Sequence, residues 1–162
     1  LVELEQAFYA GRCDVYLSDA STLAASRAAR AGKPDDFVIL PERINKSPLG
    51  PFVRQDDANW AAIVRWTVNA LVAAEELGIT AKNADSQTQS TDAQVRRLLG
   101  VEPGIGKSFG LDESWAKNAI KAVGNYGEVW DRNLGAATPL KLDRGLNAQW
   151  NQGGLLYSPP FQ

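Results

Sequence analysis

"AGRCDVYLSDASTLAA", residues 10–25, contains the junction on which the reading of this sequence depends. A short apolar run, Val15-Tyr16-Leu17, stops at Ser18-Asp19, and an Ala-rich run begins. Gly11 on one side and Ser18-Asp19 on the other bound residues 13–18 as a short strand. Residues 20–31 read as a helix ended by Gly32 and Pro34. The carboxylate at the junction has two readings. Asp and Ser are among the best helix N-caps, so Asp19 can close the helix start, with Ser21 as an alternative cap. A carboxylate at a strand end can also hold a positively charged group. Residue chemistry alone puts capping first.

Upstream, residues 2–10 read as a helix with Gly11 as its stop. Downstream, "DDFVILP" gives a buried strand over 37–40, broken by Pro41. Pro48-Leu49-Gly50-Pro51 forms a restricted connector, either a rigid turn or a hinge, leading into an extended piece at 52–54. Helix, strand, helix, strand in this order predicts an α/β protein.

The clearest helix follows, with Asp56 or Asp57 as its cap. Trp60, Ile63, Val64, Thr67, Val68 and Leu71 recur at helical spacing, which predicts that this stripe is its core face. Gly78 ends it. The polar stretch 81–94 reads as a surface connection. "DAQVRRLLG" gives a short helix stopped by Gly100. "VEPGIGKSFGLD" is a glycine-rich loop ending in Gly-Lys-Ser at 106–108. It is a poor phosphate-binding loop: the first glycine of that motif would fall on Val101, and no apolar strand precedes it. Asp112 is positioned to cap a further helix with Ala116, Ala119, Ile120 and Val123 on its apolar face. A bend at Gly124–Gly127 leads to a short helix around Val129-Trp130. The aromatic, proline-rich tail is expected to lie pinned against the body, since Trp150, Leu155, Leu156, Tyr157 and Phe161 would otherwise face water.

Composition narrows the function. The chain has 162 residues, 44% hydrophobic and 22% charged, with a net charge of −2. Lys and Arg are scattered, so no nucleic-acid footprint appears. No apolar run approaches the ~20 residues of a membrane span, and no signal-peptide pattern is present. The chain starts at Leu1 and contains no Met, which suggests an excerpt of a longer protein. It has no His. Ser-His-Asp and Cys-His mechanisms are therefore impossible within it, and neither a zinc site nor a cofactor is expected. The adjacent carboxylates Asp35-Asp36, Asp56-Asp57, Glu75-Glu76 and Asp112-Glu113 point ~100° apart on a helix, which suits caps and solvated faces better than acid/base pairs. Cys13, alone on the predicted strand, reads as a small buried hydrophobe, or as half of a disulfide whose partner lies elsewhere.

The stretch "AFYAGRCDVYLSDASTLAA" resembles a segment of the periplasmic solute-binding proteins of ABC transporters, in the branch that captures polar amino acids. "DDFVILPERINKSPLGPFVRQDDANWAAIVRWTVNALVAAEELGI" is similar to that family's return into its first lobe. "VGNYGEVWDRNLG" and "LNAQWNQGGLLYSPPFQ" resemble the carboxy-terminal extension of the general L-amino-acid binders. The likeness covers essentially the whole chain, as the carboxy-terminal half of such a protein.

The resemblance implies a type 2 periplasmic-binding fold, two α/β lobes closing like a clamp, with a helix-rich extension. Residues 1–47 would be the end of the second lobe and the return crossover, and 48–162 the carboxy-terminal part of the first lobe. It implies capture of polar L-amino acids in the periplasm for a membrane permease, with the amino-terminal half supplying the rest of the site. Asp19 would hold the ligand's α-ammonium, with Ser18 lining the same pocket. Two other readings stay open: an enzyme on the same fold, such as a dehydratase, and a stand-alone interaction module.

Overall fold

The computed structural model describes residues 2–161; Leu1 and Gln162, the ends of the segments read in the sequence, lie outside the described residues. Among the described residues six α-helices form: α1 (Val2–Tyr9), α2 (Ala20–Arg30), α3 (Ala58–Glu76), α4 (Ala93–Leu98), α5 (Trp115–Val123) and α6 (Tyr126–Asn133). Short 3-10 turns lie between and after them. The chain forms two compact units. One comprises residues up to Gly50 together with Asn133–Asp143, and the other Pro51–Arg132 together with residues from Arg144 onward.

In the first unit, α1 ends where Gly11 takes a positive φ of 72° and the Arg12 amide bonds back to the Ala7 carbonyl. Glu5 of α1 is buried and ion-paired at 2.7 Å with Arg30 of α2. The Tyr9 hydroxyl donates to Ser26 Oγ (3.2 Å). Phe8, Tyr9, Tyr16 and Phe37 gather with ring centroids 5.0–5.8 Å apart, at the spacing at which aromatic pairs attract.

The two predicted strands do not form a sheet. Among the described residues there is no strand, only an isolated bridge between Gln149 and Leu156. Residues 13–18 and 37–40 run irregularly, with Val15, Leu17, Val38 and Leu40 exposed. Apolar alternation creates a strand only when another strand takes up its backbone N–H and C=O groups, and no such partner lies among the described residues. Cys13 is likewise exposed, with a free thiol, rather than buried.

In the second unit, Asp57 caps α3 by accepting from the Trp60 amide (2.8 Å), and Asp92 caps α4 through the Gln94 and Val95 amides. The core joins Ala70, Ala73 and Ala74 of α3, Ile79, Ala84, Val95, Leu98 and Leu99 around α4, and Ala116 and Ile120 of α5; Phe161 packs against it. This corrects part of the expected core face of α3. Trp60 is 51% exposed and Val68 38%, and Ile63, Val64 and Thr67 are half-buried. The buried residues of α3 are Ala70, Val72, Ala73 and Ala74, and Leu77 packs against the core with them, as does Leu71 of the predicted stripe, so the buried surface is turned partly away from that stripe and lies toward the C-terminal half of the helix. The stripe is defined by large side chains, whereas the buried positions are mostly small alanines that allow close helix approach. Val123, expected on the buried face of α5, is also exposed.

Candidate functional site

Asp19 occupies the N-cap position of α2 with extended backbone angles (φ −60°, ψ 143°), and its carbonyl accepts the first helical bond from the Leu23 amide (2.9 Å). Its carboxylate makes no capping hydrogen bond. Ser21 lies inside the helix, not at its cap. Ser18 and Asp19 are both exposed. The backbone of Asp19 therefore does the work of an N-cap while its side chain stays available. A carboxylate so placed can accept charge-assisted hydrogen bonds from an ammonium group. Three residues upstream, the Tyr16 hydroxyl is buried without a hydrogen-bond partner among the described residues. Nothing in the residue pattern marks Tyr16 for a role beyond packing, because a buried phenol and a buried phenylalanine leave the same apolar pattern.

Two other polar constellations are structural. Arg144 makes two parallel hydrogen bonds to Glu75 Oε1 and Oε2 (2.9 and 3.0 Å), and its guanidinium lies 5.3 Å from the Tyr126 ring centre and 5.5 Å from that of Trp130. Gln149, fully buried, donates to the Val72 carbonyl and to Glu75, and the Trp150 indole donates to Glu76. The tail is thus tied to α3 by charge-assisted bonds. Burial pushes the Tyr126 hydroxyl above its ordinary pKa; Arg144 opposes this and Glu75 adds to it. The tail is held at Gln149 and Phe161, yet Trp150, Leu155 and Tyr157 remain exposed, contrary to the expectation that they pack away.

The glycine-rich loop holds an anion of its own. Glu113 accepts from the Gly104 amide (2.9 Å) and the Lys107 amide (3.3 Å). Its glycines serve close approach: a Cβ on Gly100 would stand 2.1 Å from the Glu113 carbonyl, and one on Gly106 2.9 Å from that of Asp112. Asp112 is not the N-cap of α5. It sits two residues before the N-cap Ser114 and accepts from that residue's hydroxyl and amide, which hold its carboxyl below the usual range. Among the described residues no cluster of His, Cys, Asp and Glu could hold a metal, and no helix is long and apolar enough to cross a membrane.

No family model matches the chain. Comparison with known proteins is nevertheless specific. The chain is 57% identical over 161 residues to the glutamate/glutamine/aspartate/asparagine-binding protein BztA of Rhodobacter capsulatus, covering 99% of this chain and 47% of that protein. It is 51% identical over 164 residues to the general L-amino acid-binding periplasmic protein AapJ of Rhizobium johnstonii, covering 100% of this chain and 48% of the relative. Among solved structures, an ABC transporter periplasmic binding protein from Brucella ovis with glutathione bound matches with a TM-score of 0.89 at 52% identity, over 98% of this chain and 50% of that one. The chain spans about half the length of the relatives it matches. The resemblance read from the motifs holds along the whole chain: its homologues are amino-acid-binding periplasmic proteins of ABC transporters, with names of binding proteins rather than enzymes.

Proposed function

We propose that this chain is the carboxy-terminal half of a periplasmic solute-binding protein that captures polar L-amino acids for an ABC importer, and that Asp19 receives the ligand's α-ammonium. One observation carries the site: Asp19 stands at the start of α2 with a carboxylate that makes no capping bond. Ser18, the next residue back, would line the same pocket. The names of the relatives support the ligand class. Glutamate, glutamine, aspartate, asparagine and the γ-glutamyl end of glutathione all present a free α-ammonium beside an α-carboxylate, so a site that reads this head group accepts all of them.

In this reading residues 1–47 belong to the second lobe and its return crossover, and 48–162 to the first lobe with its extension. Pro48–Pro51 is the hinge; one of the three crossings between the compact units, at Gly50 and Pro51, falls within it, while Asn133–Asp143 groups with the residues up to Gly50. Both lobes are α/β. The unpaired runs 13–18 and 37–40 become strands when the remaining half of the protein supplies their ladder partners. A membrane permease receives the ligand.

Calorimetric titration with the twenty amino acids tests this, on the chain alone and on the chain extended by the residues that the Rhodobacter relative has outside the matched region. Acidic amino acids and their amides bind the extended protein stoichiometrically and without turnover. Asp19→Ala in that protein weakens binding by roughly 2–5 kcal/mol, the usual cost of stranding a desolvated charged partner. Unchanged affinity would return Asp19 to a backbone role at the helix start. Turnover would restore the enzymatic reading.

A further inference from the structure

The contact between α1 and α2 is decided by polar groups more than by apolar packing. Among the described residues of the first unit the buried side chains are Glu5, Ala24 and Ser26. Two of these are polar and the apolar one is small. Glu5 of α1 pairs with Arg30 of α2 at 2.7 Å. The Tyr9 hydroxyl, one turn along α1, donates to Ser26 Oγ at 3.2 Å. Four residues forward on α1 thus match four residues back on α2, so the helices run antiparallel with both ties on an i, i+4 face of each. The rings of Phe8, Tyr9, Tyr16 and Phe37 add half-buried contacts. Apolar contacts of this kind tolerate sliding. The ion pair does not, because a slipped register leaves the Glu5 carboxylate buried without its partner.

The register fixed in this way reaches Asp19. The Asp19 carbonyl accepts the first hydrogen bond of α2, from the Leu23 amide, so residue 19 moves with the helix. A helix transmits an axial shift from one end to the other, and α2 is short enough, about 16 Å at 1.5 Å per residue, to move as one rod. We propose that Glu5 is a positioning residue for the Asp19 site: through Arg30 it sets the register of α2, and so the place at which Asp19 presents its carboxylate to the ligand's α-ammonium. The Tyr9–Ser26 bond supports the same register one turn nearer to the site. The proposal rests on the reading of Asp19 as a ligand-binding residue. Its physical basis is that a buried ion pair contributes little net stability over apolar residues of similar size, since desolvation offsets its attraction, whereas it does specify which register is allowed.

The test separates positioning from stability by replacing both partners at once. Glu5→Leu/Arg30→Met is made in the extended protein described above. Its melting temperature should equal or exceed that of the unsubstituted protein. Its dissociation constant for glutamate, measured by calorimetry where both proteins are fully folded, should rise about tenfold or more, as a small misplacement of a binding group implies. Arg30→Lys, which keeps the charge opposite Glu5, should stay within about threefold of the unsubstituted affinity. A readout independent of ligand is the distance between nitroxide labels at Glu3→Cys and Ala25→Cys, both exposed positions, with the other cysteines replaced by serine. The distribution should be narrow in the parent and broaden or split in the double variant, by up to about 5 Å, the rise of one helical turn. Unchanged affinity in the double variant would overturn the proposal and leave the functional reading intact, as would a distribution that stays narrow and unshifted. If the double variant does not fold, Tyr9→Phe, which removes only the hydroxyl tie, must weaken binding in the same direction, and unchanged affinity there overturns the proposal. A parent protein that binds no amino acid would strike the functional reading and the ligand half of the proposal together, while the label distances still decide whether the pair sets the register.

Discussion

Glu75, near the end of α3, and Arg144, at the start of the tail, face each other through two parallel hydrogen bonds of 2.9 and 3.0 Å across 69 positions of sequence. Both side chains are largely withdrawn from water, with 14% and 20% exposure. A fork-to-fork pair of this kind is strong and orientation-specific. Arg144→Gln should destabilise the second unit by roughly 2–4 kcal/mol, because it leaves Glu75 charged and short of a partner. Arg144→Lys should rescue only part of this, since an ammonium cannot reproduce the planar fork or its stacking on Tyr126 and Trp130. Urea denaturation of the three proteins measures the order; equal stabilities would show that the pair contributes nothing.

Two of the helix starts that carry an aspartate at the N-cap, those of α2 and α3, differ in a way mutation can read. The Asp57 carboxylate accepts from the Trp60 amide, while the Asp19 carboxylate makes no capping bond. Asp57→Ala should cost about 1 kcal/mol, the usual value of a side-chain cap. Asp19→Ala should cost less than half as much, leaving only its charge interaction with the α2 N-terminus. Helical circular dichroism in a urea series distinguishes them, and a larger loss at Asp19 would contradict the geometry.

Gly100 and Gly110 share nearly the same positive φ, 70° and 73°, yet their surroundings differ. A methyl on Gly110 meets open space, while one on Gly100 meets the backbone of Glu113 and Ser114. Gly110→Ala should therefore cost only the backbone strain of about 1–2 kcal/mol. Gly100→Ala adds a clash with main chain and should remove most of the stability of the second unit. Thermal melts of the two variants make the comparison directly.

Tyr126 gives a pH prediction. Burial raises its pKa above the ordinary value near 10. A group whose pKa is raised on folding contributes stability that is complete below its unfolded pKa and is lost as pH rises through the folded one. The chain should be at full strength with respect to this group up to pH ~10 and weaken above it. Phenolate absorbance should show one tyrosine titrating late, and Tyr126→Phe should abolish both that late step and its share of the alkaline loss.

The helices were legible because their signals are local. Glycines at 11, 78 and 100, the aspartates at 57 and 92, and the bend at Gly124 lie within a turn of the boundaries they set. What was not legible is carried by residues far apart in sequence. Glu5–Arg30, Glu75–Arg144 and Glu113 in the 104–107 loop look like solvated charges until the fold brings their partners together. The strands failed for a different reason: alternation in 13–18 and 37–40 describes what a sheet would do with them, and no other strand lies among the described residues. At the candidate site the sequence left Asp19 between helix capping and a ligand role; the structure engages its backbone at the start of α2 and leaves its carboxylate without a capping bond, a separation that residue type cannot express.

The exposure of large apolar side chains on α3 also governs how the polypeptide behaves at high concentration. Its buried residues pack against α4, α5 and Phe161, whereas Trp60 is 51% exposed and Val68 38%. Exposed aromatic and aliphatic side chains of this kind favour association between copies as concentration rises. Recovery of the isolated chain should therefore fall as expression is driven harder, while its secondary structure remains intact.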